Sequence, residues 1–290
     1  MTGRRPVRVA TVFTHRRSNE TAGALKVLRE VAARHGSVLR FSPEETRKHG
    51  LRPEPGIVVD APVDRAVDLC IVLGGDGTIL HALRAYAHTG VPVFAVNYGE
   101  VGFLATIDPD NIREGFERAF RGEFETLSLP AIEVTLSGET WVAMNDVSFH
   151  RQKGMRVADL AFDVGEDEVG RVRCDGLVIS TPAGSTGYNL ANGGPVMAWG
   201  VEGYAVSFIA PHSLTARSLV VAPQDAITVR NRSEEEPVDV SVDGRPVCEL
   251  AMGGALSARF RPGVGTLAQT YGASFYHRLR EKFGRLVNTM

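Results

Sequence analysis

Apolar residues in the first part of the chain fall into short unbroken runs separated by segments of helical spacing. Val7 to Phe13 is a β-branched run, and Ala22 to His35 sets Ala24, Leu25, Leu28, Val31 and Ala32 on one helical face. A polar, proline-containing stretch follows from Ser42 to Gly56, then strand-like runs at Ile57–Val59 and Leu69–Leu73. A glycine-rich turn leads into a helical segment, Ile79–Ala87, and Val91–Val96 is a further strand. Ile112, Phe116, Ala119 and Phe120 mark a helix. Strands alternating with helices predict a mostly parallel sheet covered on both faces.

Near Glu125 the period changes. Ala158, Leu160, Phe162 and Val164 alternate with Asp159 and Asp163, and Val238, Val240 and Val242 with Asp239 and Ser241. Period two, with glycine turns up to about Phe260, predicts a largely antiparallel second part in its own layer. Ser274 to Val287 again has helical spacing. The expected fold is an α/β N-terminal domain, residues 1–124, plus a β-rich, sandwich-like domain, residues 125–273.

Composition narrows this picture little. The 290 residues are 43% hydrophobic and 23% charged, and the net charge is -2, so no overall field favours nucleic acid or an anionic membrane. An anion site must be local. Cys70, Cys174 and Cys248 are far apart and odd in number, which fits a reducing compartment. No apolar run is long enough to span a bilayer, and Met1–Pro6 has no signal-peptide character. The expected location is the cytoplasm. The eight histidines show no metal-ligand spacing, so no structural zinc is expected.

The chemistry gathers at glycine-rich turns. Leu69–Leu73 runs into Gly74, Gly75, Asp76, Gly77 and Thr78. Glycines let backbone approach a ligand, and a helix N-terminus after a strand favours phosphate. Thr78 can cap that helix or touch a ligand oxygen. Asp76 would repel phosphate unless it handles a proton or a metal. The simpler alternative is a tight strand-to-helix turn. Asn97 and Gly99 open a second turn, ending in Gly102, Phe103 and Leu104, that should lie beside the first. Asn145-Asp146 puts an amide next to a carboxylate. The stretch Arg173 to Pro195 combines Asp175, Thr186, Gly187, Tyr188, Asn189, Leu190 and Ala191 with small hydroxyls and glycines. That composition suits a dinucleotide lying along backbone, without naming it.

Taken together and in this order, these motifs resemble those of the NAD kinase family: the Gly-Gly-Asp-Gly-Thr turn, the Asn97–Leu104 turn, the Asn-acid pair and the long Asp175–Pro195 signature. Pro211–Arg217 and Ser241–Gly244 also resemble family elements. The first turn alone is shared with lipid kinases and phosphofructokinases. The resemblance implies transfer of the γ-phosphate of ATP, another nucleoside triphosphate or polyphosphate to the 2′-hydroxyl of the adenosine ribose of NAD, giving NADP. It implies that the C-terminal helix, 274–290, returns to the first domain, and that NAD binds in the cleft between the domains.

By the same resemblance, Asp76 is the catalytic residue, and Gly74, Gly75, Gly77, Thr78, Asn97 and Gly99 form the phosphate turns. Phe103 lines the nucleotide pocket and His81 faces the site. Asn145 and Asp146 hold ribose hydroxyls, while Asp175 and the 186–191 segment bind the dinucleotide. Arg156 and Arg173 contact pyrophosphate or a neighbouring chain's ligand, and Arg245 contacts NAD. Mg²⁺ would arrive with ATP, held mainly by phosphates and water. A homodimer or homotetramer is implied, with the β-rich domain as interface. Three departures stand out: Asp146 where the family usually has Glu, about 1.5 Å shorter in reach; Gly187 for Ala; and Ser218 for Pro. Two rivals remain at this point, a lipid or sugar kinase using the same turn and an NAD(P)-binding regulator without transfer activity.

Overall fold

The computed structural model describes residues 5–99 and 102–284. The chain divides into two compact units. One runs through Ser128 and takes up the chain again from Gly265; the other is Leu129–Val264.

The first unit is built on a parallel sheet. Its strands lie in the order Ile57–Val58, Val38–Phe41, Val9–Thr14, Leu69–Gly74, Val93–Asn97, with Leu267 at the end of the last strand beside Val93. Each central strand is an unbroken buried run, as a sheet covered on both faces requires. The chain grows outward from Val9–Thr14 on one side, then returns to its other side with Leu69–Gly74. That reversal is a topological switch point, where open α/β sheets offer a crevice at the strands' C-terminal ends. Helices Ser18–His35 and Ile112–Phe120 bury Leu28, Val31, Phe116 and Phe120 against the sheet.

The helices after Ser42 and after the glycine turn differ from the sequence expectation. The polar stretch after Ser42 contains a helix, Pro43–His49: Ser42 Oγ accepts from the Glu45 amide, Pro43 sits in the first turn, and Gly50 closes it at φ +59°. The helix after the glycine turn begins at Asp76 rather than Ile79 and ends at Ala85. The C-terminal helix is Phe275–Phe283; the expected continuation to Val287 lies outside the described residues.

The second unit is a β-sandwich. One sheet is antiparallel throughout, in the order Leu219–Val221, Tyr204–Ile209, Gly176–Ser180, Asp146–Arg151, Val238–Val242, Arg245–Leu250. The other carries Asp167–Cys174, Ala158–Val164, Ile227–Asn231 and the start of Ala255–Gln269. Alternate residues of both sheets, among them Phe149, Leu177 and Tyr204 facing Phe162, Val229 and Leu256, form one core.

Candidate functional site

In the first unit, Gly74 and Asn97 are register partners on adjacent parallel strands, so the two predicted turns leave the sheet side by side. They touch: a Cβ on Gly99 would come 2.9 Å from Gly75 Cα. Glycine is required at both places for the turns to pass. Gly77 opens to solvent, with nothing near the position of an added Cβ. Of the two roles open to Thr78, a helix cap or a ligand contact, the cap is not formed. Gly75 is the N-cap with no side-chain cap bond, and Thr78 folds back on Gly74, where a Cβ would lie 2.6 Å from Thr78 Oγ1.

Asp76 is the first residue of its helix, and its carboxylate is held by the second turn. Oδ2 accepts from the Phe103 amide and Oδ1 from the Leu104 amide, each at 3.1 Å. Asn97 braces that turn rather than facing outward: Oδ1 accepts from the Gly99 amide at 3.0 Å, and Nδ2 donates to Asp108 Oδ1 at 3.2 Å. The Phe103 ring is buried against Phe275 and Phe283 at centroid distances of 5.6 and 6.1 Å. His81 is exposed one turn along the helix, edge-on to Phe13 at 5.4 Å.

In the second unit, Asn145 and Asp146 sit where the chain enters the strand Asp146–Arg151. Their backbone is gripped by Asp243, a residue missed as a site element. Its carboxylate accepts from the amides of Met144 at 3.1 Å, Asn145 at 2.7 Å and Asp146 at 3.2 Å. Asp243 is at φ +46°, an unusual backbone state for a non-glycine residue. Asn145 Oδ1 is buried with no hydrogen-bond partner among the described residues. Burial, with the Asp243 carboxylate beside it, pushes Asp146 up to about 7.

The Thr181–Ala191 segment packs against this turn. Thr181 donates from its amide to Asn145 O at 2.8 Å and from its hydroxyl to Met144 O at 2.7 Å. A Cβ on Gly184 would fall 2.2 Å from Asn145 O. Thr186 hydroxyl donates to Ala183 O at 3.4 Å. Gly187, Tyr188 and Ala191 are exposed, and Leu190 is half-buried. The Tyr188 ring stacks on that of His150, at 5.6 Å and 19°. Burial raises its phenol, with the carboxylates of Asp146 and Asp175 adding to the shift, so the three groups share one neighbourhood. Asn189 points inward instead of towards a ligand; its Nδ2 donates to Ser185 O and Pro195 O, both at 3.0 Å. Asp175 is paired with Arg151, a partner the sequence did not suggest, at 2.6 Å. Arg156 and Arg173 line one cleft of about 290 Å³, with Arg232 and the acidic run from Glu234 to Glu236. Arg245 is exposed at the head of the strand Arg245–Leu250.

Residues 18–124 match the ATP-NAD kinase N-terminal domain family and residues 144–260 the ATP-NAD kinase C-terminal domain family. The chain is 32% identical over 284 residues to the NAD kinase of Lachnoclostridium phytofermentans, spanning 94% of this chain and 98% of that protein. It is 34% identical over 227 residues to the NAD kinase of Gemmatimonas aurantiaca, covering 76% and 78% of the two chains. Among solved structures, an Archaeoglobus fulgidus NAD kinase in complex with ATP superposes with a TM-score of 0.73 at 25% identity, over 96% and 97% of the chains. Yeast NADH kinase complexed with NADH shares the fold, with a TM-score of 0.88 at 22% identity, over 99% and 90%.

Proposed function

The chain belongs to the NAD kinase family, and from that premise we propose that it transfers the terminal phosphate of MgATP to the 2′-hydroxyl of the adenosine ribose of NAD, giving NADP. The observation that carries this reading is that both halves of the chain match the two domains of one family.

Asp76 receives the acceptor hydroxyl. Two amides fix its carboxylate without neutralising it, which leaves lone pairs able to accept the hydroxyl proton's hydrogen bond. An alcohol is too weak an acid to give up its proton to a carboxylate beforehand, so the contribution of Asp76 is to orient the nucleophile, with proton transfer late in a loose transition state. The backbone amides around Gly75 and Gly77, at a helix N-terminus, favour the donor's negative charge. Mg²⁺ would enter as part of the nucleotide substrate, held mainly by its phosphates and by water.

Asn145 and Asp146 grip ribose hydroxyls: the buried Oδ1 of Asn145 has no hydrogen-bond partner among the described residues and suits a hydroxyl donor. Asp175, Thr186 and Tyr188 flank the dinucleotide, and Arg156, Arg173 and Arg245 supply positive charge for pyrophosphate. The Asn189 side chain supports the loop instead. The protein acts in the cytoplasm as a homodimer or homotetramer, which light scattering on the purified chain measures.

The test is product analysis after incubation with NAD and MgATP. A 2′-phosphorylated product, reducible by a dehydrogenase specific for NADP, supports the reading. Tight NAD binding with no product from ATP or polyphosphate would turn it towards a regulator.

A further inference from the structure

The C-terminal helix reaches the residues that hold Asp76. Arg278 lies on Phe275–Phe283, and its Nη1 donates to Phe103 O at 3.0 Å and to Ala105 O. Nη2 donates to Gln269 Oε1 at 2.6 Å. Phe103 and Leu104 are the residues whose amides hold the two oxygens of Asp76. The guanidinium therefore grips the carbonyl side of a short backbone segment whose amide side grips the carboxylate. A peptide plane is stiff, so fixing its carbonyl fixes the direction of the next amide.

The cost of placing Arg278 there is visible. Burial pulls its pKa down, offset by the carboxylates of Asp108, Asp76 and Glu281. An arginine drawn out of water to bind two main-chain carbonyls is more than a surface ion pair requires; a neutral side chain could cover the same apolar surface. The guanidinium fork suits this task because it presents several donors in one rigid plane, which lysine does not.

We propose that Arg278 is a positioning residue for phosphoryl transfer: by clamping the Phe103–Ala105 backbone it aims the amides that set the Asp76 carboxylate against the acceptor hydroxyl. This rests on the reading of Asp76 given above. It makes the C-terminal helix part of the transfer apparatus as well as of the first unit's packing.

The experiment compares Arg278→Ala, Arg278→Lys and Asp76→Asn, alone and with Arg278 and Asp76 changed together, by steady-state kinetics in NAD and ATP. A misplaced acceptor group costs turnover rather than affinity, so Arg278→Ala should lower kcat by about 10- to 100-fold with both KM values within about twofold. Millimolar guanidinium should restore part of that loss in Arg278→Ala and none in Asp76→Asn. Arg278→Lys keeps the charge but loses the fork; it should fall between wild type and alanine, and it carries the test if the alanine variant does not fold. In the Asp76→Asn background, removing Arg278 should change kcat less than about twofold, because the group it positions is gone. If Asp76→Asn is inactive while both Arg278 variants keep near-wild-type kcat, the positioning role is wrong and the Asp76 reading survives. A loss that appears in KM or in melting temperature alone, with no guanidinium response, assigns Arg278 to packing and overturns the proposal. Wild-type turnover by Asp76→Asn overturns both.

Discussion

Asp76 and Asp146 are both held through main-chain amides by residues distant in sequence, Asp76 by its carboxylate and Asp146 by its backbone. Asp76 is half-buried and takes two amides on its own oxygens. Asp146 has its backbone held while its side chain is buried 7% exposed beside Asp243, so its pKa rises to about 7. The unfolded value is about 3.9. The folded state thus binds this proton more tightly, its contribution to stability is fully present below about pH 4, and it is lost as pH rises through 7. Asp146→Asn should therefore match wild type in unfolding midpoint near pH 4 and exceed it at pH 8, by an amount on the order of 4 kcal/mol at most. In the same pH range the ionised carboxylate becomes the better acceptor for a ribose hydroxyl. KM for NAD should fall from pH 6 to 8 in wild type, and a flat profile in Asp146→Asn would tie that fall to this residue.

At the scale of elements, the turns matter through contact between their backbones. Gly184 lets the Thr181–Ala191 segment lie on the Asn145 carbonyl. Gly184→Ala should push that carbonyl away, destabilise the protein by about 1–3 kcal/mol and raise KM for NAD more than kcat falls. Much of this level is legible in the sequence. Unbroken apolar runs gave the parallel strands, period two gave the sandwich, and strand adjacency put the two glycine turns together. The helix Pro43–His49 was readable from Ser42, Pro43 and Gly50, but its polar surface carries no apolar stripe. What lay out of reach were braces formed by distant residues. Asp243 acts 97 to 99 positions from its amides, and Arg278 acts 175 positions from the Phe103 carbonyl. Side-chain direction was also hidden: the Asn189 amide turns inward and Tyr188 already has a ring partner, although both belong to the same signature.

The chain joins a parallel α/β unit bearing Asp76 to a sandwich bearing Asn145, Asp146 and Tyr188. Because the dinucleotide contacts proposed above fall mainly in the sandwich, NAD at about 100 times its Kd should stabilise that unit by about 2.7 kcal/mol, seen as a higher melting midpoint in calorimetry. A midpoint unmoved by saturating NAD would remove the ribose and dinucleotide roles from Asn145, Asp146 and Tyr188. The central claim is phosphate transfer to NAD directed by Asp76. Its most direct test is the rate of NADP formation from NAD and MgATP, read with a dehydrogenase that accepts only NADP, for wild type and Asp76→Asn side by side. The account predicts steady NADP formation by wild type and a loss of about 10²–10⁴-fold in the variant, with NAD affinity nearly unchanged. No NADP from the wild-type protein, or equal rates from the two, would contradict it.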